Sequence, residues 1–120
     1  MKSETAVRRN PEEYRLHADL CRVLTDPKRL MLLDALRDDQ LSVGELADAI
    51  GTTLPNASQH LAVLRSAGLV EARRSGTTVR YRIAEPAIVR ASDIVHDIVA
   101  GRLASATRAR AVSAERDRRR

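Results

Sequence analysis

Apolar residues recur along most of this chain at helical rather than strand spacing. In the first such segment Tyr14, Ala18, Cys21 and Leu24 fall on one stripe, and Leu20 widens it. The segment opens with Asn10-Pro11-Glu12-Glu13. Asn10 suits the cap, Pro11 the first helical position, and Glu13 can reach back, so a helix is predicted from Pro11 to about Leu24. Asp26 and Pro27 repeat the device before a leucine-rich run and predict a second helix to about Arg37. Ser42 and Glu45 have capping-box spacing ahead of "VGELADAI", a third helix ended by Gly51. Thr53 can cap a fourth helix from Leu54 to about Ala67, which Gly68 ends in the left-handed conformation glycine tolerates.

The period then falls to two. Residues 70–74 and 78–83 read as short strands turning at Ser75-Gly76-Thr77, with Val79, Tyr81 and Ile83 on one face and Arg80 and Arg82 on the other. Helical spacing returns from Pro86 to about Leu103 through Ile88, Ala91, Val95, Ile98 and Arg102, flanked by Ile94, Val99 and Leu103, with Gly101 placed to loosen the end. Residues 1–9 show no periodicity and read as disordered. Residues 105–120 have too few large apolar side chains to pack and read as frayed helix or a flexible basic tail. Residues 10–104 are therefore expected to form one domain, mainly α with a small β-hairpin. Its third and fourth helices, joined by a tight glycine-containing turn, make a helix-turn-helix.

Composition narrows the class. The 120 residues are 43% hydrophobic but only 2% aromatic, without Trp or Phe, so the core must be Leu, Val, Ile and Ala, which suits packed helices. No apolar run is long enough to span a bilayer and the start carries no apolar signal segment, so no membrane partner and a cytoplasmic location are expected. The one cysteine, Cys21, lies in the apolar stripe of the first helix and reads as a core thiol; no paired-thiol spacing exists for zinc. Three histidines, this cysteine and no glycine-rich phosphate loop offer no nucleophile–base pair, so an enzyme is not expected.

Charge is more informative. The net +5 is concentrated in two places: residues 105–120 hold six arginines against Glu115 and Asp117, and residues 69–83 hold four against Glu71. That distribution fits a polyanion partner.

On a helical wheel Leu54, Ala57, Leu61 and Leu64 of the fourth helix face the core. Pro55, Asn56, Gln59, Ala62, Val63 and Ser66 face outward, with Ser58 and His60 on the flanks. This outer ridge is narrow and free of acidic groups. An α-helix fits the major groove of DNA and reads it with its N-terminal turns. Gln59 is the best-suited reader, because its amide can donate to and accept from adenine; Asn56 can do the same or bind a phosphate. Ser58 and Thr53 are short hydroxyls suited to phosphate. Arg73, Arg74, Arg80 and Arg82 of the hairpin can lie along the neighbouring minor groove and release counterions regardless of sequence. Each half of this pattern alone is commonplace, a solvated helix face or an edge protected by arginines; the two in direct succession point to double-stranded DNA.

"LTDPKRLMLLDAL", "LSVGELADAIGTTLPNASQHLAVLRSAGLV" and "RRSGTTVRYRI" together resemble the ArsR/SmtB family of winged-helix transcriptional repressors, over about residues 12–100. The resemblance implies five helices, a homodimer joined through the first and fifth helices, and paired recognition helices reading an inverted repeat, with DNA released by an effector. It places Ser58, Gln59 and His60 in the recognition motif and Arg74 to Arg82 in the wing.

The family's metal motifs are not intact. The helix before the recognition helix reads "SVGELADA", without a thiol. In the fifth helix Val95 stands where the first histidine of the second family motif belongs, and no histidine follows His96. Asp93, His96 and Asp97, at i, i+3 and i+4, remain as a candidate set for a divalent cation, joined by His17 if the first and fifth helices pack together. The bland alternative is a solvated acidic face. A winged-helix module that docks on a partner regulator is the competing functional reading, against which the arginine-edged wing argues.

Overall fold

The structure, a computed structural model, describes residues 5–120. Its elements run α1 (Pro11–Val23), α2 (Pro27–Ala35), β1 (Leu41–Ser42), α3 (Val43–Ile50), α4 (Leu54–Ser66), β2 (Val70–Ser75), β3 (Thr78–Ile83) and α5 (Pro86–Arg118). Residues 5–10 form neither helix nor strand, and the rest of the expectation for the N-terminus lies outside the described residues.

The helices begin where local chemistry supplies acceptors for their unpaired N–H groups. Asn10 Oδ1 accepts from Glu13 N at 2.8 Å, and Asp26 Oδ1 accepts from Lys28 N at 2.8 Å and Arg29 N at 3.4 Å. Ser42 and Glu45 complete a reciprocal capping box, Glu45 N donating to Ser42 Oγ at 3.2 Å and Ser42 N to Glu45 Oε1 at 3.0 Å. Thr53 Oγ1 accepts from Asn56 N at 3.3 Å. Two helix ends require a left-handed residue: Gly51 at φ 72° and Gly68 at φ 76° turn the chain out of α3 and α4.

Contacts divide the chain after Glu85 into two units, the second being Pro86–Arg120. In the first unit Leu32, Leu33 and Leu36 follow from α2, Leu46 and Ala47 from α3, and Ala57, Leu61 and Leu64 from α4; with Leu69 and Val70 they form a fully apolar core. The three helices pack pairwise, and α4 leads directly against β2. Leu54, expected in this core, is 53% exposed in the first turn of α4.

The sheet has three strands in the order β1-β3-β2, all antiparallel. β1 was not foreseen: two residues are too few to show alternation, and they join the sheet by pairing Leu41 with Tyr81 and Ser42 with Arg80. The β2–β3 register runs from Val70 opposite Ile83 to Ser75 opposite Thr78, leaving Gly76 and Thr77 as the turn.

Two expectations change. α1 buries none of its residues, and Cys21 is exposed rather than a core thiol. The stripe on α1 is real, but within one chain it stays open, with Tyr14, Leu16 and Leu20 all exposed. α5 does not stop near Leu103; it continues to Arg118, 33 residues in all, or about 50 Å. Gly101 weakens a helix without ending it, and the following Ala, Arg and Glu residues are good helix formers. Glu115 also accepts from Arg118 and, at 3.3 Å, from Arg119, the i+3 and i+4 spacings that support an exposed helix. No helix among the described residues is long and apolar enough to cross a membrane.

Candidate nucleic-acid interface

α4 is held from behind. Ala57, Leu61 and Leu64 are each 0% exposed, so its orientation in the first unit is fixed by packing. Its opposite side presents Pro55, Ser58, Gln59, Ala62, Val63 and Ser66, all exposed. Ser58 and Gln59 make no side-chain hydrogen bond or ion pair within the described residues. Gln59 therefore keeps both a donor and an acceptor available, which bidentate recognition of adenine requires.

Asn56 differs. Lys28 Nζ donates to Thr52 Oγ1 at 3.4 Å, and Thr52 Oγ1 donates to Asn56 Oδ1 at 2.9 Å. With its carbonyl oxygen engaged, Asn56 has its NH2 group to offer outward, which suits an acceptor-only phosphate better than an adenine edge. Thr53 Oγ1 accepts from Asn56 N to cap α4, which leaves its hydroxyl proton to donate.

His60 is engaged within the chain. Its side chain is only 15% exposed and points back toward α2, with Nε2 3.8 Å from Asp26 Oδ1. Its Nδ1 lies 3.3 Å from Arg29 Nη1, and Arg29 also donates through Nε to the carbonyl of Val23 at 2.5 Å. A guanidinium can only donate, so Nδ1 is the acceptor in this contact, and Nε2 faces Asp26. Burial would raise the Asp26 carboxyl; the N–H groups of Lys28 and Arg29 and the nearby His60 and Arg29 outweigh it and hold the carboxyl below its ordinary value. His60 thus ties the recognition helix to the start of α2. Its flank position on the wheel allowed either direction, and its partners are remote in sequence.

The wing arginines divide by strand face. Residues paired across an antiparallel ladder share a face. Arg74 therefore stands with Ala72, Val79 and Tyr81, whereas Arg73, Arg80, Arg82 and Glu71 stand on the other side. Tyr81 borders a surface hollow together with Ser58, Ala62, Arg65 and Ser66 of α4. The exposed ridge of α4 and the Arg74 face of the wing thus open onto one continuous surface. Arg65, not among the residues expected at the interface, is exposed on this hollow and adds a cation; its position in the last turn of α4, beside Ser66, is the signal the sequence carries.

Two of the four wing arginines are engaged within the protein. Arg82 is paired with Glu71 directly across the ladder, and Arg80 lies 3.8 Å from Glu45 while donating to the carbonyl of Gln40 at 3.3 Å. Hydrogen bonds from the backbone and side chain of Ser42 lower the Glu45 carboxyl; burial opposes them and Arg80 reinforces them. Arg73 and Arg74 are exposed and make no ion pair among the described residues. Arg73 also sits directly opposite Arg80, a like-charge pair that costs stability in isolation.

In the second unit, Asp93 is half-buried while His96 and Asp97 are exposed along α5. Among the described residues no group of three or more His, Cys, Asp or Glu side chains is arranged to hold a metal ion, so one chain does not assemble the Asp93/His96/Asp97 set as a site.

A helix-turn-helix domain model matches residues 24–73, which run from the end of α1 through the turn and α4 into β2. The HTH-type transcriptional regulator KmtR of Mycobacterium tuberculosis is 47% identical over 68 residues, 57% of this chain and 52% of that protein, so this chain spans about half of its length. The uncharacterized HTH-type transcriptional regulator Rv0081 of the same organism is 39% identical over 88 residues, covering 72% of this chain and 77% of that one. Its crystal structure superposes with a TM-score of 0.71 at 36% identity, over 82% of this chain and 99% of that one. The homodimeric winged helix-turn-helix DNA-binding domain of a possible ArsR-family regulator from Mycobacterium bovis, solved in solution, gives 0.67 at 34% identity, over 81% and 90%. Matching these relatives in sequence and fold over most of its length, this chain belongs to the ArsR/SmtB family of winged-helix transcriptional regulators, whose members bind DNA and are not enzymes.

Proposed function

We propose that the protein is a homodimeric repressor that binds an inverted repeat in double-stranded DNA and is released by an effector, acting in the cytoplasm. The observation that carries this reading is the state of α4. It is rigidly seated through Ala57, Leu61 and Leu64, yet presents Ser58 and Gln59 outward with all their hydrogen-bonding capacity unspent. In this reading α4 enters the major groove, Gln59 reads a base edge, and Ser58 and the Asn56 NH2 group contact phosphates. Arg74 and Arg73 lie along the adjacent minor-groove phosphates, where an anion between strands relieves the repulsion of Arg73 and Arg80.

Exposed apolar residues support twofold pairing. Tyr14, Leu16 and Leu20 on α1, and Ile94, Val95, Ile98, Val99 and Leu103 on α5, are each at least about one-third exposed in a single chain. Apolar stripes of that extent mark surfaces that associate. A second copy would cover them through the first and fifth helices. The same twofold axis would be needed to bring further ligands to Asp93, His96 and Asp97 if a cation is the effector.

Binding to a duplex taken from the chain's own upstream region, followed by fluorescence anisotropy against a scrambled duplex of equal length, tests the reading. A preference of about a thousandfold or more for the first is expected of a specific regulator. Equal affinity for both, or no binding at low salt, contradicts it.

A further inference from the structure

We propose that the arginine-rich end of α5, residues 104–120, is a second DNA contact that holds phosphates independently of sequence. The inference rests on the proposed DNA-binding function and extends it to a part of the chain outside the helix-turn-helix and the wing.

Three observations support it. First, this stretch is helical to Arg118 although every residue in it is exposed. Its apolar residues are alanines and the exposed Val112, so the stretch has no buried packing of its own to account for the helix. Second, its cations are all arginine, with planar donors matched to phosphate oxygens. Third, most of that charge is not neutralised internally. Glu115 pairs with Arg118 and Arg119, but Arg110, Arg116 and Arg120 have no ion-pair partner among the described residues, and Arg108 donates only to the Ser105 hydroxyl, at 3.3 Å. At about 1.5 Å per residue, Arg108 to Arg120 span roughly 18 Å, the length over which one DNA strand carries about five phosphates. The spacing and sign fit a nucleic-acid backbone. Because the arginines surround the helix, no base register is demanded, so the contact adds affinity without preference.

Two full-length proteins distinguish this from a merely solvated tail: the native chain, and a variant carrying Arg108→Gln, Arg110→Gln, Arg116→Gln and Arg120→Gln. Glutamine is a good helix former, and circular dichroism establishes that the helix persists. Affinity for a mixed-sequence 30-base-pair duplex is measured across a salt series. Four lost phosphate contacts lower the slope of log affinity against log salt by about 3 to 4 per engaged subunit. Between about 50 and 200 mM salt the native protein should then weaken roughly a hundredfold more than the variant. The ratio of affinities for upstream and scrambled duplexes should be the same for both proteins. An unchanged slope overturns the proposal. So does tight native binding to phosphatidylserine-containing vesicles that the variant lacks while their DNA slopes coincide, which would assign the segment to an anionic membrane surface. A native protein with a steep slope but no preference between duplexes would end the proposed sequence-specific function and leave the phosphate contact standing.

Discussion

Replacing Gln59 with alanine separates reading from folding more sharply than any other change at this surface. The side chain is exposed and bonded to nothing among the described residues, so its removal leaves no buried group there unsatisfied and no cavity. Alanine is the better helix former by a few tenths of a kcal/mol, so the melting temperature should stay within about two degrees of the parent. On DNA the loss is selective. A bidentate amide–adenine pair is worth about 1–3 kcal/mol of discrimination, which is roughly 5- to 150-fold per half-site. Anisotropy titrations against a set of duplexes, each with one operator base pair changed, should show the variant indifferent at a single position in each half-site and unaltered at the others. The salt slope should not move, because no phosphate contact is lost. If Gln59→Ala instead weakens operator and scrambled duplexes equally, or lowers the melting temperature by many degrees, Gln59 is a phosphate or structural residue and the orientation assigned to α4 is wrong.

Three further outcomes follow from the site's geometry. Arg73→Thr relieves the like-charge opposition to Arg80, so thermal stability should hold or rise while affinity falls about equally on all DNA sequences; a fall confined to the operator would contradict the assignment. His60→Gln should lower stability in a denaturant titration, because it disturbs the contacts to Arg29 and Asp26, yet leave the pattern of base preference intact; a changed preference at one base pair would restore His60 as a reader. Asp26 and Glu45 are held below their ordinary values of 3.8 and 4.5, so their stabilisation is complete above those values and is lost as pH falls through the lowered folded-state values. The urea midpoint should therefore decline on acidification below about pH 4.5 less steeply for an Asp26→Asn, Glu45→Gln double variant than for the parent, and parallel curves would refute the assignment.

Much of this fold is written locally. Asn10, Asp26, Ser42 and Thr53 each announce a helix through the acceptor they place before it, and all four caps form as their spacing requires. The alternation around Gly76 likewise announces the hairpin. What escaped depends on tertiary partners. An apolar stripe shows that α1 has a face to bury, but not that its own chain leaves that face uncovered, so Cys21 was misplaced. β1 exists only because β3 offers its free edge. The direction of the His60 ring was not legible, because Arg29, 31 residues earlier, lies beside its Nδ1. The four wing arginines looked equivalent until the register put Arg74 on the face of Tyr81 and set Glu71 against Arg82. The length of α5 is legible in the alanine, arginine and glutamate that sustain a helix, although the stretch lacks the large apolar residues that would pack it.

The most direct test of a recognition helix and a wing acting together on each of two half-sites is chemical protection of guanine N7 in the major groove and adenine N3 in the minor groove on a bound upstream duplex. Two major-groove blocks separated by a whole number of helical turns, about 10 base pairs or a multiple, each flanked by minor-groove protection that Arg73→Thr and Arg74→Ala diminish, is the expected pattern. A single block, or protection confined to the minor groove, would contradict it.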